Sequence, residues 1–318
     1  MQATGGSDGS ALLDARPCLR AAETLKVMQA TRYTAVMDLR GIDFHVHPCD
    51  ARIARAWAGE PEDYHRFFRG EVPTESDAAM AERFRGLGLM GVLLGADAET
   101  TTGIEAYPND DLAAICKADP DLFVGFAGID PWKGELAVRE LERSITTLGL
   151  RGAKFHPGRQ HFLPSDRRFD DIWGAASDLG AICLFHTGMM AAGAGTPGGR
   201  GEVLEYTRPI HLDALAARFP KLQIVAAHPS WPWHEEMLAI ARHKTNVHLD
   251  LSGYLPRYMP ESFLKMATSL LQDQVLFGSD YPFIMPERWL EDFGGLDLRP
   301  AVREKILMGN AKRLLSLS

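Results

Sequence analysis

Cysteine is scarce: the 318-residue chain holds four, at positions 18, 49, 116 and 183. They form no CxxC pair and no dense spacing, which excludes a disulfide-stapled mini-domain and a zinc ribbon. Cys183 stands in the apolar run 181–185 and reads as a buried thiol. Reduced, unpaired cysteines suit an expected cytoplasmic setting. Long apolar runs are missing too. None approaches the ~18–20 residues that cross a bilayer, so no membrane contact is expected. The opening MQATGGSDGS lacks the charged start and apolar stretch of a secretory leader. Positive charge is in deficit, with 34 Lys and Arg against 42 Asp and Glu and a net charge of −8. Nucleic-acid binding wants the opposite balance, so none is expected.

What the chain does have is an ordinary globular composition, 46% hydrophobic and 24% charged, enough for a large core. A prior of roughly 150 residues per domain suggests two domains, yet α/β barrels pass about 250 residues as one. Residues 1–35 read as an N-terminal extension, Gly/Ser/Thr-rich at its start and partly mobile. From 36 to 318, short apolar runs alternate with longer amphipathic stretches. Eight runs read as strands: 39–46, 89–95, 123–129, 152–156, 181–186, 223–228, 246–251 and 274–278. Their continuous apolar character fits parallel strands buried on both faces. Helices are expected at 77–86, 110–118, 134–147, 169–179, 212–219, 233–243, 260–271 and 300–315. This pattern predicts a single-domain (β/α)8 TIM barrel. An open doubly wound sheet is the alternative, but no GxGxxG turn follows the first strand. Two connections are long, 48–76 and the glycine-rich 187–209, and long loops at this face tend to carry function.

Polar residues recur where these strands end, the pole at which a barrel assembles its active site. The first strand ends Asp43-Phe44-His45-Val46-His47. Residues two apart in a strand share a face, so His45 and His47 should project together, a natural pair of metal ligands. The fifth strand ends at His186, the sixth at His228, and Asp280 follows the eighth. One such residue could cap a loop; four sites of this kind point to a shared metal centre. Imidazoles with one carboxylate suit a borderline divalent ion, and the carboxylate can also accept a proton. Lys154 and His156 lie two apart at the end of the fourth strand, and both could face inward.

The ordered set HVHP, HTG, AHP and GSDYP resembles the amidohydrolase superfamily. Within it, the set is similar to the amidohydrolase-related branch that includes aminocarboxymuconate semialdehyde decarboxylase. GAKFHP at 152–157, with HTG and AHPSWPW after it, resembles a subgroup of metal-dependent hydrolases acting in the breakdown of aromatic compounds. The resemblance implies that His45, His47, His186 and Asp280 hold one divalent metal, with zinc expected and manganese the alternative. It places His228 beside the metal as an acid/base or polarising group. Dinuclear members of the superfamily carry a carboxylated, bridging lysine where Lys154 stands, but this branch uses one metal. Lys154, His156 and Arg159 are therefore read as contacts for a carboxylated substrate. Trp231 and Trp233, just after His228, could wall the pocket or pack in the core. A homodimer is a further implication of the resemblance.

The leading expectation is a hydrolase. Metal-bound water, its pKa lowered to about 7, would lose a proton to Asp280 and attack a carbonyl of a small carboxylated or aromatic-degradation substrate, with His228 polarising that carbonyl. The alternative on the same scaffold is a non-oxidative carboxy-lyase, in which an acid protonates the carbon that loses CO2. A third reading is a barrel that binds without catalysing.

Overall fold

The computed structural model describes residues 39–71 and 74–317. The expected N-terminal extension, residues 1–35, and Cys18 lie outside the described residues. Eight parallel strands form one sheet in sequence order: β1 Gly41–Val46, β2 Leu89–Leu94, β3 Phe123–Gly128, β4 Gly152–Phe155, β5 Ile182–His186, β6 Gln223–Ala227, β7 Val247–Asp250 and β8 Val275–Leu276. Backbone bonds join the last strand to the first. Phe44 N–H donates to Phe277 O at 2.8 Å, Asp280 N–H to His45 O at 3.0 Å, and His47 N–H to Tyr281 O at 2.7 Å. The result is the expected (β/α)8 barrel.

Away from the site residues the strands are apolar runs because both of their faces are covered. Every strand residue is buried except Gln223, which is half-buried. Ile42, Phe44, Val92, Phe126, Leu184 and Val225 fill the barrel interior. Ala311 and Leu315, from the C-terminal helix Asn310–Leu315, join that cluster and stopper the pole opposite the strand carboxyl ends. Outer helices start and stop on local chemistry. In Asp77–Leu87 the Ser76 side chain accepts the Ala79 N–H, and Gly88 at φ 67° ends the helix.

The long segment 48–76 is less open than the sequence suggested. It contains helices Ala51–Ala58 and Pro61–Phe68. A third unforeseen helix is Pro286–Gly294. The stretch 300–315 is interrupted at Lys305–Gly309 by a π-helical turn, where the Ile306 carbonyl accepts Phe277 N–H and ties the helix to the barrel wall. Among the described residues, no helix is long and apolar enough to cross a membrane.

Candidate metal centre

The carboxyl ends of the strands bring His45 and His47 (β1), Lys154 and His156 (β4), His186 (β5), His228 (β6) and Asp280 (β8) to one pole. None is more than 8% exposed. The register of β1 against β2 shifts between Asp43 and Val46, a bulge of the kind that re-aims side chains beside active sites. The His45 and His47 rings end 5.1 Å apart. His228 and Asp280 hold φ of 69° and 74°, a left-handed backbone that side-chain-bearing residues rarely adopt and that recurs at functional sites.

Asp280 Oδ1 lies 3.4 Å from His45 Nε2 and 3.4 Å from His47 Nε2. Lys154 Nζ stands 3.4 Å from His45 Nε2. Among the described residues, two groups of donor atoms gather within 4.8 Å of one another: His45–His47–Asp280 and His45–His228–Asp250. His186 belongs to neither group. Its Nδ1 lies 3.0 Å from His228 Nε2, and its ring stacks on His156 at 3.9 Å.

Burial sets the protonation states. It lowers His45, His47, His156 and His186 below the usual imidazole range, which leaves these rings neutral with lone pairs to offer. Burial also raises the Asp280 carboxyl, but the His47 hydrogen bond and the surrounding imidazoles outweigh it and hold the group at about 2. Lys154 is pushed down to about 8 by burial, against the pull of Asp250 and Asp280. At this site two buried ring nitrogens, His47 Nδ1 and His186 Nε2, have no hydrogen-bond partner. An orphaned polar atom in a buried site calls for a partner. Neutral imidazoles around an anionic carboxylate make a donor set that fits a divalent ion.

The cavity over this set is lined by Trp57, Phe67, Phe68, Tyr254 and Phe283, with Met189 and Met190 from the glycine-rich segment. Its free volume is about 50 Å³. A hollow of about 780 Å³ adjoins it and shares His47 and Phe283, but contains none of the other candidate site residues.

Some expected contacts are elsewhere. Arg159 does not line the cavity; its guanidinium pairs with Glu202 and donates to Ala56 O at 3.0 Å. Arg168, Arg200 and Arg257 pair with Asp166, Asp63 and Asp292. Lys154 is the one lysine or arginine in the lining. Trp231 is 49% exposed, and neither it nor Trp233 reaches the cavity, whose indole is Trp57. His65, His161, His211, His234, His243 and His248 stay outside it as well. The sequence reading missed Asp250 and Ser252, although a polar residue ending the seventh apolar run was the same signal that marked His186 and His228.

The sequence model described as Amidohydrolase matches residues 42–317. The 2-amino-3-carboxymuconate-6-semialdehyde decarboxylase of Dictyostelium discoideum is 23% identical over 248 residues, which span 66% of this chain and 66% of that enzyme. The TIM-barrel protein Bb4693 of Bordetella bronchiseptica is 30% identical, with a TM-score of 0.72 over 87% of this chain and 98% of that one. A dihydroxybenzoic acid decarboxylase of Polaromonas, solved with manganese and 2-nitroresorcinol, is 19% identical with a TM-score of 0.66, covering 87% and 97%. The enzymes named here are carboxy-lyases, and this overturns the expectation of a hydrolase.

Proposed function

We propose that this chain, which belongs to the amidohydrolase family, is a metal-dependent, non-oxidative decarboxylase of a small ring acid, carried by one barrel domain over 36–318. One observation carries the proposal: a single buried cavity joins a metal-fitting donor set to one cation, Lys154, between aromatic walls. The named relatives support the reaction type.

We assign His45, His47, His186 and Asp280 to the ion. When bound, a divalent ion supplies a Lewis acid that holds an anionic substrate oxygen and stabilises developing charge. The imidazole-rich donor set favours zinc, and manganese is the natural comparison. The remaining work falls to side chains. Lys154 pairs with the substrate carboxylate, out of water, where such a bond is strong. His156 Nδ1 accepts the Arg159 N–H at 3.3 Å, so a neutral His156 ring keeps its proton on Nε2 and donates from there. Trp57 stacks on His156 at 5.4 Å and, with Phe68 and Phe283, keeps water away. Loss of CO2 breaks the bond between ring carbon and carboxylate and leaves the electron pair on that carbon, which then takes one proton. Asp280 delivers it, and His228, whose Nε2 accepts from His186 Nδ1 3.0 Å away, holds that neighbour in orientation. Asp280, held at about 2, starts as an anion, so it first takes a proton from water or a substrate hydroxyl and then passes it to carbon. Cys49, Cys116 and Cys183 are unpaired, which supports a reducing, cytoplasmic setting.

The test uses zinc- and manganese-loaded protein with 2,6-dihydroxybenzoate, other hydroxylated benzoates and 5-carboxyvanillate in oxygen-18 water. The expected result is CO2 release, no oxygen-18 in the ring product, and solvent hydrogen on the vacated carbon. Oxygen-18 in the product without CO2 would overturn the proposal. Elemental analysis should find one ion per chain and its loss in His186→Ala.

A further inference from the structure

Behind the donor set runs a buried hydrogen-bonded chain. Asp250 ends β7, and both it and Ser252 are 0% exposed. Asp250 Oδ2 lies 3.0 Å from His45 Nδ1. Asp250 Oδ1 accepts the backbone N–H of His228 at 3.1 Å, the backbone N–H of Ser252 at 3.0 Å, and the Ser252 hydroxyl in a short contact. Ser252 Oγ lies 2.9 Å from His228 Nδ1 and 3.0 Å from His45 Nδ1. His228 Nε2 in turn lies 3.0 Å from His186 Nδ1. Gly253 makes room for this arrangement: at φ +73°, a Cβ there would sit 2.6 Å from His228 Nδ1.

Counting protons gives the chain a direction. A carboxylate only accepts, so Asp250 accepts a hydrogen bond from His45 Nδ1–H on one oxygen and from the Ser252 hydroxyl on the other. Ser252 has one proton and has given it away, so its oxygen accepts from His228. A neutral His228 therefore carries its proton on Nδ1 and shows a lone pair at Nε2. That lone pair accepts from His186 Nδ1, so a neutral His186 is bare at Nε2. This is the nitrogen that is buried without a partner. His45 Nε2 is bare by the same logic, since its proton is on Nδ1.

We propose that Asp250 and Ser252 are positioning residues that fix the tautomers of His45, His228 and His186, so that Nε2 of His45 and His186 stand ready for a divalent ion before it arrives. A partner behind a ligating imidazole commonly fixes which nitrogen faces the metal. The proposal rests on the assignment of His45 and His186 as ligands.

The experiment is long-range proton–nitrogen NMR on 15N-histidine-labelled, metal-free protein, paired with zinc affinity measured against a chromophoric chelator. In the wild type, His45, His186 and His228 should all carry the proton on Nδ1. In Ser252→Ala, His45 should stay fixed by Asp250 while His228 and His186 become mixtures of tautomers, and zinc affinity should fall about 10- to 100-fold. In Asp250→Asn, the preference of His45 should be lost as well. An unchanged signal from the buried His248, 3.2 Å from Gln223 Oε1, shows that a variant is folded. Protons on Nε2 of His186 or His228 in the wild type would overturn the proposal, as would a folded Ser252→Ala with unchanged tautomers and zinc affinity. The expected tautomers in a wild type that binds no zinc would uphold the chain of bonds and overturn the ligand assignment instead.

Discussion

Asp63 should act as the clasp of the cavity roof. It lies in helix Pro61–Phe68, is buried, and accepts the Gly193 N–H at 3.2 Å and the Arg66 guanidinium at 3.0 Å, with Arg200 3.2 Å away. It thereby ties the helix that carries Phe67 and Phe68 to the glycine-rich segment that carries Met189 and Met190, all four of which line the cavity. Asp63→Ala leaves the Gly193 amide without a partner, at a cost of about 1–3 kcal/mol. The side chains of Arg66 and Arg200 are 43% and 44% exposed, so water takes over most of their charge and each adds under about 1 kcal/mol. The total, about 2–4 kcal/mol, acts against local closure, because the barrel strands do not depend on these contacts. At a factor of ten per 1.4 kcal/mol, amides in 61–68 and 189–201 should exchange with deuterium roughly 100-fold faster, while those of β1 to β8 keep their protection. Hydrogen-exchange mass spectrometry reads both regions at once. Unchanged protection in the two roof segments would refute the clasp. Equal acceleration across all the strands would show that Asp63 supports the whole fold instead.

Other consequences follow from single residues. Lys154→Met should raise KM for a ring acid about 10- to 100-fold, the value of one hydrogen bond to a charged group, and leave metal content unchanged; an unaltered KM would remove Lys154 from substrate binding. Burial, with Arg313 nearby, depresses His248 from 6.5 to about 4. Its folded value lies below its unfolded one, so the stability it contributes is whole above pH 6.5 and drains away as pH falls toward 4, by about 3 kcal/mol at 1.36 kcal/mol per unit. His248→Gln should flatten this acid-side loss in urea midpoints measured from pH 7 to 4, and parallel curves would refute it. Leu184→Ala, inside the barrel and fully buried, should lower unfolding stability by about 2–5 kcal/mol; a loss below 1 kcal/mol would mean that the interior collapses around the gap.

The barrel was legible because its strands are local signals. Ile182–His186 is apolar along its length since helices cover one face and the packed interior the other, so the run shows without any knowledge of its neighbours. Helices Ala51–Ala58 and Pro61–Phe68 were hidden by their brevity. Eight residues make about two turns, too few for a 3.6-residue period to stand out. Pro286–Gly294 did carry a signal, a proline at its first position with Trp289 and Phe293 four apart, between the eighth strand and the last expected helix. The roof of the cavity follows from these segments, which is why Trp57, Phe68 and Phe283 replaced Trp231 and Trp233 as its walls.

The candidate ligands were legible for the same local reason, since each ends an apolar run, but the pairing of charges across the chain was not. Lys154 and Arg159 are both cations near the end of β4, and sequence alone could not separate them. The structure does so by supplying Arg159 with Glu202, while Lys154 keeps to the cavity. Asp250 meets His45 across 205 positions. With these pairings known, the charges at the centre can be counted. Neutral imidazoles contribute nothing, the carboxylates of Asp250 and Asp280 contribute two negative charges, and Lys154 contributes one positive. Asp43 beside them is only part-ionised, raised to about 7 by burial. The protein alone leaves between one and two units of negative charge out of water, which is costly unless it is matched. A divalent ion brings the sum to between zero and one positive charge, and a monoanionic substrate leaves it within one unit of neutral. A buried site close to balance with an ion and one anion present favours a substrate that carries one carboxylate over a neutral one of the same shape.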